Sequence, residues 1–152
     1  MYKRQAFGFV ADRVGGAILT QIAGLGTIAC CVVLGFSGAL APTSLASFPG
    51  FVGLMLALFF FSGLGNASTF RQFPMIFAHN PRQGAQVLGW TAAVAAYGPF
   101  LFSIGIGETI AATQAAGVKS ATPFFVGAAA YCAIAIAVNW WFYTRRGCER
   151  PS

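Results

Sequence analysis

Charge is what this sequence has least of. Nine Lys or Arg and three Asp or Glu make 8% of its 152 residues, against 57% hydrophobic residues and a mean hydropathy of +0.72. A soluble domain keeps roughly a quarter of its residues charged to wet its surface, so an ordinary soluble fold is excluded. With one histidine and three carboxylates, no Ser-His-Asp, Cys-His or paired-carboxylate arrangement suggests an enzyme. Cysteine is scarce as well. Cys30, Cys31, Cys132 and Cys148 show neither CxxC nor Cys/His ligand spacing, which argues against a disulfide framework or a metal site. They are expected to act as small apolar residues, and no cofactor is expected. The formal charge of +6 does not point to nucleic acid, because the cations fall singly or in pairs between apolar runs instead of clustering on one face.

What the chain does have is long apolar runs. A helix needs about 20 consecutive apolar residues to cross a bilayer, and four stretches qualify: 18–40, 51 to about 73, 87 to about 106, and 123 to about 143. The expected fold is therefore an all-α membrane protein with four transmembrane helices, its main partner membrane lipid. Between the runs lie joints containing Pro42, Thr43, Ser44 and Pro49, then His79, Asn80, Pro81 and Arg82, then a longer stretch over 107–122. Lys3, Arg4, Arg13, Arg71, Arg82, Arg145, Arg146 and Arg150 fall on one side of the four spans and Lys119 alone on the other. By the positive-inside rule both ends are expected in the cytoplasm, in agreement with an interfacial belt of Trp140, Trp141 and Tyr143 just before Arg145. Asp12 and Arg13 interrupt the apolar stretch behind the opening residues before a secretory signal could form. Residues 6–10 read like the last turn of a helix, so the chain is expected to be a fragment. Residues 1–17 would be a cytoplasmic loop with the end of a truncated helix, and residues 18–152 a four-span segment with a short cytoplasmic tail.

Three constellations stand out. GFVADRVGG, residues 8–16, pairs Asp12 with Arg13 at a span mouth, while Gly15 and Gly16 permit the turn that starts the next helix. It reads either as a juxtamembrane turn or as a latch between helix ends. SGLGNASTF, residues 62–70, brings Asn66, Ser68 and Thr69 into membrane depth beside Gly63, Gly65 and Ala67. An unpaired buried amide costs about 1–3 kcal/mol, so Asn66 needs a partner, either a neighbouring helix or a ligand in a cavity. GWTAAVAAYGPF, residues 89–100, places Gly89, Ala92, Ala93 and Ala96 on one smooth face for close packing or a narrow pathway. Pro99 then removes the hydrogen bond to the Ala95 carbonyl, so beside Gly98 a bend is expected, which marks either a hinge or a site.

The first string resembles the Gly-x-x-x-Asp-Arg-x-Gly-Gly signature of the major facilitator superfamily, carried here by Gly8, Asp12, Arg13, Gly15 and Gly16. A narrower resemblance covers nearly the whole chain. Gly63, Gly65, Asn66, Ser68, Thr69, Phe70 and Pro74 look like the tenth helix of the nitrate/nitrite porters. Gly89, Ala93, Ala96, Tyr97, Gly98 and Phe100 look like the signature of their eleventh, and NWWFYTRR, residues 139–146, like the end of many members. Pro99 departs from the second glycine of many members, and the joint at 79–83 is shorter than in some.

This resemblance implies the last third of a twelve-helix transporter that passes nitrate and nitrite by alternating access in the cytoplasmic (inner) membrane. Its partners would be the two anions and the remaining helices of the parent. The two arginines to which anion affinity is attributed, on the second and eighth helices, would lie outside the chain. Asn66, Ser68, Thr69, Gly89, Ala93, Tyr97 and Gly98 would line the substrate pathway, with Pro99 as hinge. Arg71, late in its span, reads as snorkelling to headgroups or facing a vestibule, and His79 as a solvated joint residue. Asp12, Glu108 and Glu149 are expected at span ends, which leans toward anion exchange over proton symport. Two rivals stand beside this reading: a major facilitator for another organic anion or drug, and a self-contained small four-helix membrane protein.

Overall fold

The computed structural model describes residues 15–40 and 45–147, so Gly8, Asp12, Arg13 and Cys148 lie outside the described residues. Regular structure among those described is all helical. Helix α1 spans Gly16–Phe36, and a short 3-10 turn, Leu45–Ser47, leads into α2, Phe48–Ile76. Then follow α3, Pro81–Ala96, α4, Gly98–Ala115, and α5, Thr122–Asn139, which runs on into one π-helical turn, Trp140–Thr144. Because α3 and α4 abut at Tyr97, the helices make four passages long and apolar enough to cross a membrane: Gly16–Phe36, Leu45–Ile76, Pro81–Ala115 and Thr122–Thr144. The chain is a multi-pass membrane protein.

Local chemistry sets the boundaries. Gly15, at a φ of 90°, is the residue ahead of α1, and Gly38, at a φ of 72°, stops the chain just after it; both conformations strain any residue with a Cβ. The α2–α3 joint is tighter than expected. Asn80 caps α3 by accepting the Gln83 N–H at 3.2 Å, and Pro81 occupies the first turn, where its missing N–H costs nothing. Pro81 and Arg82 therefore belong to the helix, not the joint. A methyl on Gly84 would come within 2.8 Å of Phe77 Cβ, so the close return of α3 onto α2 requires a glycine there.

The third passage corrects the expectation most. It does not end near Ile106: α4 continues to Ala115, and the joint over 107–122 shrinks to the residues around Gly117 and Ser120. Residues 107–122 are expected as a joint, but Thr109 and Thr113 return their hydroxyls to the carbonyls of Gly105 and Thr109, at 2.7 and 2.9 Å, so their polar groups are satisfied without leaving the helix. The stop is Gly117, φ 85°. Its N–H meets the Gln114 carbonyl at 3.0 Å and that of Val118 meets Thr113 at 3.0 Å, the paired bonds of a Schellman motif. Glu108 consequently sits inside α4 and not at a span end, although its side chain is exposed.

α1 is the central rod, packed between α2 and α5. Cys31, Leu34, Ala121, Phe125 and Ala129 are buried together where the far end of α1 meets the start of α5. Two glycines allow the close approach: a methyl on Gly24 would overlap the Ile136 side chain of α5, and one on Gly26 the Phe61 ring of α2. Helices α3 and α4 hang beside this trio, attached through the Phe77–Gly84 turn and an edge-on Phe102–Phe124 ring contact at 5.4 Å. Cys30 and Cys31 are buried, Cys132 is half-buried, and all three are free thiols.

Candidate functional site

The polar side chains of the membrane-depth segments separate into two kinds. One kind is buried and bonded between helices. Ser68 is 1% exposed and Gln72 6%, both on the face of α2 that meets α1. Gln72 donates from Nε2 to Thr20 Oγ1 at 2.7 Å, Thr20 Oγ1 donates to the Gly16 carbonyl at 2.9 Å, and the Thr20 and Ser68 hydroxyls are 2.9 Å apart. The Ser68 hydroxyl also reaches the Gly65 carbonyl at 3.0 Å, which accepts from Thr69 Oγ1 at 2.8 Å as well. The single Ser68 proton thus has two acceptors within reach, Gly65 and Thr20, while Thr20 donates to Gly16 and accepts from Gln72. Gly16 makes the approach close enough, since a Cβ there would lie 2.9 Å from Gln72 Cγ.

A second knot joins α1 to α5. Asn139, 8% exposed, donates from Nδ2 to the Ala17 carbonyl and to Gln21 Oε1, each at 3.0 Å, with Thr144 Oγ1 at 3.4 Å. Sequence reasoning missed Thr20, Gln21, Gln72 and Asn139 as a set. The signal available was position: polar residues at the same end of three apolar runs, which must find each other where water cannot serve them.

The other kind is open. Asn66 and Thr69 are exposed on α2, and at 100° per residue Asn66 lies roughly 200° around the helix from Ser68. Gly89, Ala92, Ala93, Ala96 and Tyr97 are exposed along α3, Gly98 is half-buried, and Trp90 and Tyr97 are 71% and 68% exposed. Of the predicted pathway residues, the structure thus brings only Ser68 into a bonded cluster. Tyr97 is the break between α3 and α4: its N–H turns to the Val94 carbonyl at 3.1 Å, and Pro99 supplies no N–H to that of Ala95. Gly15 and Gly16 start α1 as expected. Arg71 is half-buried near the end of α2, and His79 is exposed in the joint, stacked on Phe77 at 6.3 Å. No group of three or more His, Cys, Asp or Glu that could hold a metal occurs among the described residues.

Two apolar cavities flank these features. One, of about 810 Å³, is lined by Phe48, Phe51, Met55, Ile106, Ile110 and Phe125 at the α1 C-terminal end. The other, of about 330 Å³, lies under the α2–α3 turn beside Phe73, Pro74 and Leu88. Neither cavity contains a convergent set of polar groups.

No protein-family model matches the chain, and no solved structure matches it. A Thermus thermophilus protein named as a probable nitrate/nitrite antiporter, NarK2, is 49% identical to it over 144 residues, 95% of this chain. The chain spans 30% of that relative's length. The likeness to the nitrate/nitrite porters is therefore borne out over nearly the whole chain.

Proposed function

We propose that the chain is the C-terminal part of a secondary transporter that moves nitrate and nitrite across the cytoplasmic membrane by alternating access, with both ends of this segment on the cytoplasmic side. The observation that carries this reading is the identity to the Thermus thermophilus relative along 95% of the chain.

In this reading the two kinds of polar residue divide the work. Thr20, Ser68 and Gln72 on one side of α1, and Asn139 with Gln21 on the other, hold α1, α2 and α5 as a scaffold. Ser68 then serves the scaffold, and its hydroxyl is not offered to the anion. Asn66 and Thr69, on the open side of α2, line the route together with Gly89, Ala93, Tyr97 and Gly98. A planar oxyanion leaving water needs fixed donors around its oxygens, and the Asn66 amide supplies them; the Thr69 hydroxyl, already donating to the Gly65 carbonyl at 2.8 Å, forms part of the wall. The interruption at Tyr97–Pro99 is the hinge. A helix lacking one rung of its ladder bends there more cheaply than elsewhere, and the small-residue face of α3 lets it slide against a neighbour without side-chain rearrangement.

Two experiments test the proposal. In proteoliposomes of the full-length parent, labelled nitrite inside should exchange against external nitrate, and vesicles blind to both anions would refute the substrate. The coding DNA upstream of Met1 should continue in frame through further apolar spans; a stop codon just before Met1 would refute the fragment reading.

A further inference from the structure

The last turn of α5 carries an arrangement that neither the scaffold nor the transport route uses. After Asn139 the backbone widens into the π-helical turn Trp140–Thr144, closed by the Arg145 N–H on the Trp140 carbonyl at 2.9 Å. Arg145 then leaves the helix extended, at φ −67° and ψ 151°. Its guanidinium carbon comes to rest 4.1 Å from the centre of the Trp141 ring. A guanidinium laid against an indole is held by the ring's negative face, while the N–H groups at its edge stay available.

Nothing among the described residues answers that charge. Arg145 Nε is buried without a hydrogen-bond acceptor. The one carboxylate among the described residues, Glu108, sits in α4, whose Gly105 packs on Phe124 at the opposite end of α5. Arg146 is exposed beside Arg145, and Trp140, Trp141 and Phe142 remain 49%, 52% and 43% exposed. A cationic edge next to a half-exposed aromatic surface at a span end fits an amphiphile with an anionic head and an apolar body.

We propose that Trp141, Arg145 and Arg146 bind the headgroup phosphate of an anionic phospholipid, with Trp140 and Phe142 against its acyl-glycerol portion. Stacking on Trp141 fixes the Arg145 guanidinium in one plane, and with Nε buried its two terminal Nη groups are the edge that can meet two phosphate oxygens together without sweeping the interface as a free side chain. The apolar flank distinguishes a lipid from free phosphate, which shares the headgroup chemistry but has nothing to place there. The inference depends on the chain crossing a membrane and not on what it carries.

The test uses tryptophan fluorescence. The chain contains three tryptophans, so the full chain with Trp90→Phe, inserted in vesicles, reports from Trp140 and Trp141 alone. Acyl-brominated phosphatidylglycerol should quench this signal several-fold more than brominated phosphatidylcholine at equal mole fraction. The preference should vanish in Arg145→Gln/Arg146→Gln, survive in Lys119→Gln, and persist in millimolar inorganic phosphate. Equal quenching by the two lipids, or a preference that survives loss of both arginines, overturns the proposal. Competition by inorganic phosphate would also overturn it, assigning the site to a free anion. If the double variant does not insert, the comparison of the two lipids with and without phosphate still decides the matter on the unsubstituted arginines.

Discussion

Gln72 of α2 reaches Thr20 of α1 with its amide at 2.7 Å, at a point where Gly16 and Ser68 also meet across the same helix pair. The bond joins residues 52 apart in the chain and explains why a full amide is tolerated with 6% exposure. The bond gives the amide a partner inside the protein, which at membrane depth is the only alternative to an unmet donor.

The Thr20–Gln72 bond should be measurable as a coupling. In a double-mutant cycle of Thr20→Val and Gln72→Leu, read by unfolding in detergent, the interaction energy is expected near 0.6 kcal/mol and below about 1.7 kcal/mol, the range of such bonds in membrane proteins. Strict additivity of the two substitutions would show that Thr20 and Gln72 do not support each other.

The helix α1 interfaces predict opposite outcomes for glycines of the same chain. Gly24→Ala and Gly26→Ala should each destabilise the bundle by about 1–3 kcal/mol, because their methyl groups would enter Ile136 and Phe61. Gly63→Ala meets nothing within 4 Å and should be neutral or stabilising by up to about 1 kcal/mol, since alanine is the better helix former. Thermal unfolding in one detergent ranks all three; equal values would contradict the packing of α1.

Asn139→Leu should lower stability by about 1–3 kcal/mol, because it strands Gln21 at the α1–α5 contact. Asn139→Asp removes both amide donors with almost no change in volume and should be at least as harmful. A melting temperature unchanged in either variant would mean that the α1–α5 knot contributes nothing.

Transport by the parent should respond to the hinge and to the open face separately. Pro99→Ala restores a backbone donor opposite the Ala95 carbonyl and should slow exchange several-fold with little change in the half-saturating nitrate concentration. Asn66→Leu should instead raise that concentration, by about tenfold if one hydrogen bond to the anion of about 1.4 kcal/mol is lost. Gly98→Leu should obstruct the route. Undiminished uptake in both Asn66→Leu and Gly98→Leu would move the route elsewhere.

Much of this architecture was legible without coordinates. Hydrophobic length alone marks four passages, because a bilayer admits only segments that satisfy their own backbone over about 20 residues. The break at Tyr97–Pro99 was readable because proline removes a donor wherever it stands, and Gly15 because it precedes a span as the turn requires. The end of α4 was not readable. Within the expected joint over 107–122, the Thr109 and Thr113 hydroxyls are accommodated by bonds to the helix's own carbonyls, whereas the true stop rests on the backbone angle of Gly117.

The candidate site divides along the same line. Composition and spacing determined that Asn66, Ser68 and Thr69 enter the apolar region as polar groups, and that Gly89, Ala92, Ala93 and Ala96 leave one helix face bare. Only the tertiary structure decided that Ser68 turns inward to Thr20 and Gln72 while Asn66 stays on the open side. The physical reason is that a hydrogen bond between helices depends on rotation and register about two separate axes. Those are settled jointly by the glycines of α1 and the side chains that fit against them, and no single apolar run contains that information.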